Sequence, residues 1–152
     1  MNSNGDASDP TPDGICDTLG TCTLREAIQT ANDDVDYDDC VDAGTLAAGD
    51  ADTIEFQVTD ETYEIDFDSG DDDEDNNATG DFDILGDLTI IGGGVDETFV
   101  DGGGDPDNFE CGVLGSPTDR VFHVFNEGLE LQALTVQNGI LEDSTGGQEL
   151  GG

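Results

Sequence analysis

The stretch that decides the fold lies near the start of the chain: Cys16-Asp-Thr-Leu-Gly-Thr-Cys22-Thr-Leu-Arg-Glu-Ala-Ile-Gln-Thr-Ala-Asn32. Thr23 and Glu26 have the spacing of a capping box, in which each side chain can bond the other's free backbone N–H at a helix start. Apolar residues then follow at positions i, i+3, i+4 and i+7, which places them in one stripe along a helix. The sequence therefore predicts a short amphipathic helix over residues 24–32, with the stripe Leu24, Ala27, Ile28 and Ala31.

From residue 53 onward the sequence changes to short apolar runs separated by glycine and aspartate. Most of these runs alternate apolar and polar residues, which is the pattern of a half-buried strand. Each run is three to six residues long, and such short strands favour a solenoid over a sandwich of longer strands. The predicted strands are Thr53–Val58, Tyr63–Phe67, Phe82–Leu85, Leu88–Ile91, Thr98–Val100, Val121–Phe125, Leu129–Leu131 and Leu134–Val136.

The strand-like runs also recur at regular offsets. Leu88-Thr-Ile-Ile aligns with Leu134-Thr-Val-Gln at an offset of 46, and Ile65 aligns with Leu88 at an offset of 23. An offset and its double are what stacked coils of one length produce, and a period in this range is typical of solenoids. We therefore expect coils of about 23 residues.

These patterns divide the chain into four parts. Residues 1–13 are predicted to be a flexible acidic tail, because they are polar and contain proline. Residues 14–52 form a cap that contains the helix and is linked by disulfides. Residues 53–140 form the coils, and residues 141–152 are either a tail or the start of a next coil.

The net charge of the chain is extreme. Its 152 residues include 39 acids and two bases, Arg25 and Arg120, so the formal net charge is -37. A folded chain of this size exposes roughly 7,000 Å², which places neighbouring acids about 14 Å apart. The Debye length is about 10 Å in 0.1 M salt and about 3 Å in 1 M salt, so molar salt makes this surface tolerable. One interpretation is adaptation to brine, and the other is a calcium-loaded protein whose acids are ligands. The scarcity of bases along the whole chain favours brine.

The same charge excludes several partners. Nucleic acid is excluded because two bases cannot neutralise a phosphate backbone, and anionic membrane surfaces are disfavoured for the same reason. We recognise neither a signal peptide nor an apolar run long enough to cross a bilayer. Membrane insertion is therefore not expected.

The four cysteines are Cys16, Cys22, Cys40 and Cys111. An even count in an acidic, glycine-rich chain indicates disulfides and an oxidising compartment. We predict a local Cys16–Cys22 bridge and a second bridge between Cys40 and Cys111, although four cysteines allow three pairings. Zinc is disfavoured because the spacing of Cys16 and Cys22 is not that of a zinc knuckle, and the one histidine, His123, is distant in sequence.

The segment from Cys16 to Asn32 resembles the bacterial and archaeal surface proteins named for a Cys-Ser-Leu-Arg-Glu-Ala motif, with Thr23 in place of the serine. Thr53-Ile-Glu-Phe56, Leu88-Thr-Ile-Ile-Gly-Gly and Leu134-Thr-Val-Gln-Asn-Gly139 are also similar to that family. The resemblance implies an exported, right-handed parallel β-helix that begins with a capping segment, and it supplies no catalytic residues.

Together, the pattern and the resemblance predict an all-β fold: a right-handed parallel β-helix of about three coils with a short N-terminal capping α-helix. The first coil of such a stack has unpaired backbone groups and an open apolar end, which invite aggregation. A helix with one apolar stripe would close that end, and stacked arrays require a terminal cap. The predicted cap residues are Thr23, Leu24, Arg25, Glu26, Ala27, Ile28 and Ala31.

Three further side chains are given structural roles. Arg25 lies in the first helical turn, where the helix dipole disfavours a cation, so we expect it to pair with an acid of the first coil. Arg120 is expected to anchor the start of a strand in the same way. His123 alternates with Phe122 and Val124, so it is predicted to lie on the surface, and a single histidine makes poor acid–base machinery.

Two acidic clusters are candidate calcium sites, and calcium is the one cofactor that we consider. The first alternates acids as many calcium loops do, but it lacks the glycine and the distal glutamate of an EF-hand. A solvated acidic loop is the competing interpretation of both clusters. The candidate ligands are Asp34, Asp36, Asp38, Asp71, Asp72, Asp73 and Asp75.

Three functions are compatible with the sequence. The favoured hypothesis is a secreted or cell-surface structural solenoid, such as a stalk, adhesin or filament subunit, whose partner is another copy stacked end to end or paired strand to strand. The alternative is a calcium- or glycan-binding adhesin module. The second alternative is a fragment of a polysaccharide lyase or glycosidase with a β-helix fold, which is disfavoured because the chain has no tryptophan and few aromatic residues to stack a sugar ring.

Overall fold

The computed structural model describes residues 22–33, 51–56, 60–65, 77, 80–102, 120–125, 128–142 and 148–151. One helix, α1 (Leu24–Asp33), comes first and is followed by strands. The strands are β1 (Asp52–Glu55), β2 (Glu61–Glu64), β3 (Phe82–Ile84), β4 (Leu88–Ile91), β5 (Thr98–Asp101), β6 (Phe122–Val124), β7 (Leu129–Gln132), β8 (Thr135–Gln137), β9 (Gly139–Glu142) and β10 (Gln148–Gly151). Each of the predicted runs overlaps a strand, and the predicted helix is present with one further residue at its end.

The first eight strands form three parallel sheets. Their orders are β1-β4-β7, β2-β5-β8 and β3-β6, so each of strands β1 to β5 pairs with the strand three places later in the chain. The chain thus visits the three sheets in the same sequence each time it passes. This arrangement confirms the prediction of an all-β chain with parallel strands and one short helix.

The observed register corrects the predicted coil length of about 23 residues. Asp52 pairs with Leu88, 36 positions later, and Leu88 pairs with Leu129, 41 positions later. Leu88 therefore does not stack on Leu134, as the offset of 46 required. The prediction was wrong because short apolar triplets align by chance at many offsets, whereas the true spacing includes connections of unequal length between sheets.

Columns of apolar side chains run through the sheets and form the core. Ile54 pairs with Ile90, which pairs with Leu131, and Tyr63, Val100 and Val136 form a second column. The side chain of Ile90 is 0% exposed, whereas that of Leu131 is 39% exposed, so burial decreases toward the last strands of the sheets. Burial, with the charge of Glu61 adding to it, raises the pKa of Tyr63 above its ordinary value of 10.0.

Backbone packs directly against backbone at Gly92, the residue that follows β4. A Cβ atom at Gly92 would clash with the carbonyl oxygen of Ala133, and the N–H of Gly92 donates to the carbonyl of Gln132 at 2.8 Å. Ala133 itself has a φ of 51°, in the left-handed region. Only glycine at position 92 lets the successive turns approach this closely.

The last two described strands pair differently from the first eight. Strand β10 pairs antiparallel with β9, with Gln148 opposite Glu142 and Leu150 opposite Ile140. Only five residues separate the two strands, and this is too few for the crossover that parallel pairing needs. β9 and β10 therefore form a separate two-stranded antiparallel sheet.

Several sequence predictions fall on residues that the structure does not describe. These are the acidic tail at residues 1–13 and most of the cap at residues 14–52. Among the described residues, no helix is long and apolar enough to span a membrane.

Candidate functional site

The helix begins with the predicted capping box. The N–H of Thr23 donates to Glu26 Oε2 at 2.9 Å, and the N–H of Glu26 donates to Thr23 Oγ1 at 3.2 Å. Two of the backbone donors left free at a helix start are thereby satisfied. From this start the apolar stripe faces the core, where Leu24, Ala27 and Ile28 are buried and Ala31 packs partly buried against them.

The other end of the helix is fixed to the first strand of the third sheet through Asn32. Its Nδ2 donates to the carbonyl oxygen of Asp83 at 2.8 Å, and its Oδ1 accepts from the N–H of Leu85 at 2.9 Å. A side-chain amide has one donor and one acceptor side, as a peptide group does. Asn32 therefore makes two of the hydrogen bonds that a neighbouring strand would make with the edge of β3 nearest the helix. No sequence reasoning had assigned Asn32 this role.

Arg25 is the second connection between the helix and the first strands. Its side chain is 0% exposed, and its Nη2 donates to the carbonyl of Gly80 at 2.6 Å. Nη1 lies 3.4 Å from the carbonyl of Asn77 and 3.3 Å from that of Asp81. The guanidinium carbon is also 4.8 Å from the ring centroid of Phe82, within the range of a cation–π interaction. The carbonyls offset the cost of burying this cation. The predicted pairing of Arg25 with an acid of the first coil stays a prediction.

Asn77 completes this connection from the side of the strands. Its Nδ2 donates to the carbonyl of Arg25 at 2.9 Å, and its backbone N–H donates to Asp83 Oδ2 at 2.8 Å. Asn77 has a φ of 55°, a left-handed conformation that asparagine adopts more readily than most residues. Asn77 is thus hydrogen-bonded to both the helix and β3.

The second arginine, Arg120, bridges the two strands of the third sheet. Arg120 Nε donates to Asp81 Oδ2 at 2.6 Å, and Asp81 is 2% exposed, whereas the Arg120 side chain is 29% exposed. Arg120 precedes β6 and Asp81 precedes β3, and these two strands pair in register. A charge-assisted bond of this length is among the stronger protein hydrogen bonds. Arg120 therefore anchors the start of β6, as the sequence predicts.

His123 lies beside this ion pair and is not an ordinary surface residue. It pairs in register with Asp83, and its Nδ1 is 3.3 Å from Asp83 Oδ1 and 3.1 Å from Arg120 Nη2. Its ring is 4.0 Å from that of Phe125, and its side chain is 26% exposed. The alternation of Phe122, His123 and Val124 predicts an ordinary surface position for His123, and it does not reveal the neighbours that half-bury the ring.

We refer to Arg25, Asn32, Asn77, Asp81, Asp83, Arg120 and His123 as the cap junction. Both arginines of a chain without lysine are in it, and both contact Asp81, one through the carbonyl and one through the carboxylate. The two buried aspartates carry charges that would each cost several kcal/mol without compensation. The junction therefore combines buried acids with the chain's two permanent cations, and it ties α1 to β3 and β6.

The cap junction also contains a group that could hold a metal ion. One ligand atom each from Asp81, Asp83 and His123 lies within 4.8 Å of the others. The Arg120 guanidinium already contacts two of these three side chains, so a divalent cation would have to displace a positive charge that donates to the same atoms. The geometry favours an ion-pair network over a metal centre.

Of the other predicted site residues, the structure describes only Cys22. Cys22 is disulfide-bonded and buried, and its partner lies outside the residues that the structure describes. Cys16, Cys40 and Cys111 fall there too, so the pairing stays a prediction. The same holds for the candidate calcium ligands Asp34, Asp36, Asp38, Asp71, Asp72, Asp73 and Asp75.

No protein-family model matches the chain, and neither a curated protein nor a solved structure matches it. The resemblance to the surface proteins with a Cys-Ser-Leu-Arg-Glu-Ala motif therefore stays a prediction from the motif itself.

The ion pair between Arg120 and Asp81 can be tested by a double-mutant cycle. We expect Arg120→Met to lower the free energy of unfolding by about 3 kcal/mol, because it leaves a buried carboxylate without its guanidinium. Asp81→Asn in addition should restore part of that loss, since the uncompensated charge is then gone. Denaturant unfolding in molar KCl measures the three variants, and strictly additive losses would show that the two side chains are not coupled.

The role of Asn32 can be tested by truncation. We expect Asn32→Ala to cost about 1–2 kcal/mol, because the carbonyl of Asp83 and the N–H of Leu85 lose their partner at the edge of β3. Asp33→Ala is the matched control in the same helix, since Asp33 is exposed and so is the hydrogen bond that it accepts from Gln29. Thermal unfolding in molar KCl compares the two variants, and equal melting temperatures would mean that Asn32 does not seal the strand edge.

Proposed function

We propose that the chain is a structural module of a secreted or cell-surface protein, used as a stalk, adhesin or filament subunit in concentrated salt. Its architecture in this proposal is a right-handed parallel β-helix with three strands per coil, closed at its start by α1. The observation that carries the proposal is the pairing of each of strands β1 to β5 with the strand three places later, in three parallel sheets visited in a fixed order. Parallel crossover connections are almost always right-handed.

The described contacts support a structural role for the polar groups near the helix. Asp81 and Asp83 are buried, and their bonds to Arg120 and to the N–H of Asn77 join the two strands and the cap. A catalytic acid or base must instead reach a substrate within hydrogen-bonding distance. Groups committed to holding a cap on a stack of strands are better suited to stability than to turnover.

The net charge of the chain supports a salt-rich environment for the proposed module. With a net charge of -37 spread over 8790 Å² of accessible surface, the folded chain repels itself at low ionic strength. Molar salt shortens the range of this repulsion to about 3 Å, whereas the buried bonds of the cap junction are little exposed to screening. The fold can therefore persist where its surface charge is neutralised by dissolved ions.

The disulfide at Cys22 supports an extracellular location. It lies directly before the capping box, where it restrains the entry to α1. Disulfides persist in oxidising environments such as the cell exterior and are rare in the reduced cytosol. A covalent restraint next to the cap would stabilise a small module in an extracellular environment.

Far-ultraviolet circular dichroism across a salt series tests the structural proposal. We expect a cooperative, β-rich fold in about 3 M KCl that melts at a lower temperature, or unfolds, in about 0.1 M KCl, because the Debye length then reaches about 10 Å. Reduction of the disulfide in molar salt should lower the melting temperature further. A random-coil spectrum in molar salt would contradict the proposed fold.

The absence of turnover is tested separately on the same sample. Acidic and neutral polysaccharides are incubated with the folded protein in molar KCl, and reducing ends and unsaturated products are measured. We expect none above a heat-unfolded control. Products formed by the wild type but not by Asp83→Asn would overturn the structural proposal in favour of the enzyme.

A further inference from the structure

The turn that follows β8 has an asparagine directly before a glycine. Asn138 connects β8 to β9, which begins at Gly139. This is one of two Asn-Gly pairs in the chain, and the other is Asn4-Gly5 in the predicted tail. Glycine has no side chain to shield its backbone nitrogen, so that nitrogen can attack the side-chain amide of a preceding asparagine. An Asn-Gly pair in a freely moving chain therefore loses the asparagine nitrogen spontaneously in water.

This deamidation forms one bond and breaks another at the Asn138 side chain. The nitrogen of Gly139 gives up its proton to base in the solvent and bonds to Cγ of Asn138, and the side-chain nitrogen leaves as ammonia. Water then opens the resulting succinimide ring. Opening at Cγ leaves aspartate, whereas opening at the main-chain carbonyl leaves isoaspartate, whose backbone is longer by a methylene. The net change is the uptake of water and the loss of ammonia, without any oxidant or reductant.

The strand on which β8 stacks holds the side chain that would react. Asn138 Nδ2 donates to both carboxylate oxygens of Asp101, at 3.0 Å each, and Asp101 also accepts from Gln137 Nε2 at 2.7 Å. Hydrogen bonds to a charged group are among the stronger ones in proteins. Asp101 thus fixes the orientation of the Asn138 amide and binds the nitrogen that would have to leave.

The backbone of the turn is fixed as well. Asn138 has a φ of 57°, in the left-handed region. The N–H of Gly102 donates to the carbonyl of Gln137 at 3.0 Å, and a Cβ atom at Gly102 would lie 2.7 Å from the carbonyl oxygen of Asn138. The turn therefore packs directly on the backbone that follows β5. Ring closure needs rotation about the main-chain and side-chain torsions of Asn138, and the stacked turn opposes both rotations.

We infer that Asn138 is a deamidation site that stacking on β5 keeps latent, with Asp101 as the residue that protects it. The inference needs only the described pairing of β8 with β5 and goes beyond the structural role proposed above. While the turn is stacked, the amide is retained. Once the turn separates from β5, the reaction proceeds as it does in an unfolded chain, and the loss of ammonia makes it irreversible.

The product of the reaction opposes restacking. An aspartate at position 138 brings a carboxylate to the place from which an N–H donated to Asp101. Glu64 pairs in register with Asp101 on the other side, so the new charge would be the third acid at the end of this sheet. Like charges placed opposite one another in a sheet are destabilising. The modification therefore records an opening of the turn and weakens the end of β8.

Mass spectrometry of the full chain, incubated in mildly alkaline molar KCl, tests the inference. Trypsin cleaves after the two arginines, so Asn4 and Asn138 are measured in separate fragments, and Asn4 shows that the conditions drive the reaction. We expect folded wild type to deamidate at Asn138 at least about tenfold more slowly than the chain unfolded in guanidinium chloride, because a bond to a charged group contributes a factor of this size. Asp101→Ala should remove most of this protection.

Gln137→Ala is the matched control. It removes a different hydrogen bond from the same carboxylate, so Asn138 should stay protected. Circular dichroism shows which variants are folded. If Asp101→Ala does not fold, Asp101→Asn takes its place, since it keeps the shape and one acceptor oxygen and should still deamidate faster than the wild type.

Exchanging the two side chains tests the consequence of the reaction. We expect Asn138→Asp to lower the melting temperature in molar KCl. Adding Asp101→Asn should restore most of the loss, because donor and acceptor then change places.

Three results would overturn the inference: equal rates at Asn138 in the folded and unfolded wild type, no reaction at Asn138 in the unfolded chain, or a folded Asp101 variant as slow as the wild type. An exchanged pair no more stable than Asn138→Asp alone would refute the predicted repulsion.

Discussion

The structure depends on one buried electrostatic arrangement, in which two arginines converge on the segment that leads into β3. Arg25 donates to three carbonyls of residues 77–81, and Arg120 bonds the carboxylate of Asp81 at 2.6 Å. The first comes from the helix and the second from the approach to β6, so the same short segment receives the cap from one side and the next strand from the other. Without these bonds the helix would have its apolar stripe but no fixed orientation over the strands.

This arrangement explains how a chain with such a charge can fold around a small core. Its 39 acids repel one another across the surface, and its two bases are too few to balance them. Arg25 is fully buried, and Arg120 bonds a buried carboxylate through a charge-assisted hydrogen bond, which is among the stronger kinds in proteins. Surface solubility and internal cohesion are thus served by different residues.

The sequence predicted the local structure well and the long-range arrangement less well. The helix, its capping box and the eight strand runs depend on spacing within a few residues, and the structure has all of them. The coil length failed because it depends on the connections between sheets, which carry no periodic signal. A better alignment was present, since Phe82-Asp-Ile-Leu matches Phe122-His-Val-Phe, and these strands do pair in register.

The cap junction could be predicted only in part. The sequence predicts a structural role for Arg25, because the helix dipole disfavours a cation in the first turn. Its hydrogen-bond partners lie 52 to 56 positions away, and no local pattern points to them. Asn32, Asn77, Asp81 and Asp83 were missed because single polar residues among many acids look like solvated surface. Their role follows from burial and geometry, which only the folded chain provides.

Amide hydrogen exchange in about 3 M KCl, comparing the wild type with Arg25→Met, tests the central claim most directly. If the cap junction seals the stack, the amides of Phe82 and Leu85 exchange as slowly as those of β4 in the wild type, and at least tenfold faster in the variant, while β4 and β5 stay protected. Fast exchange of β3 in the wild type, or equal protection of β3 in both proteins, would contradict the account.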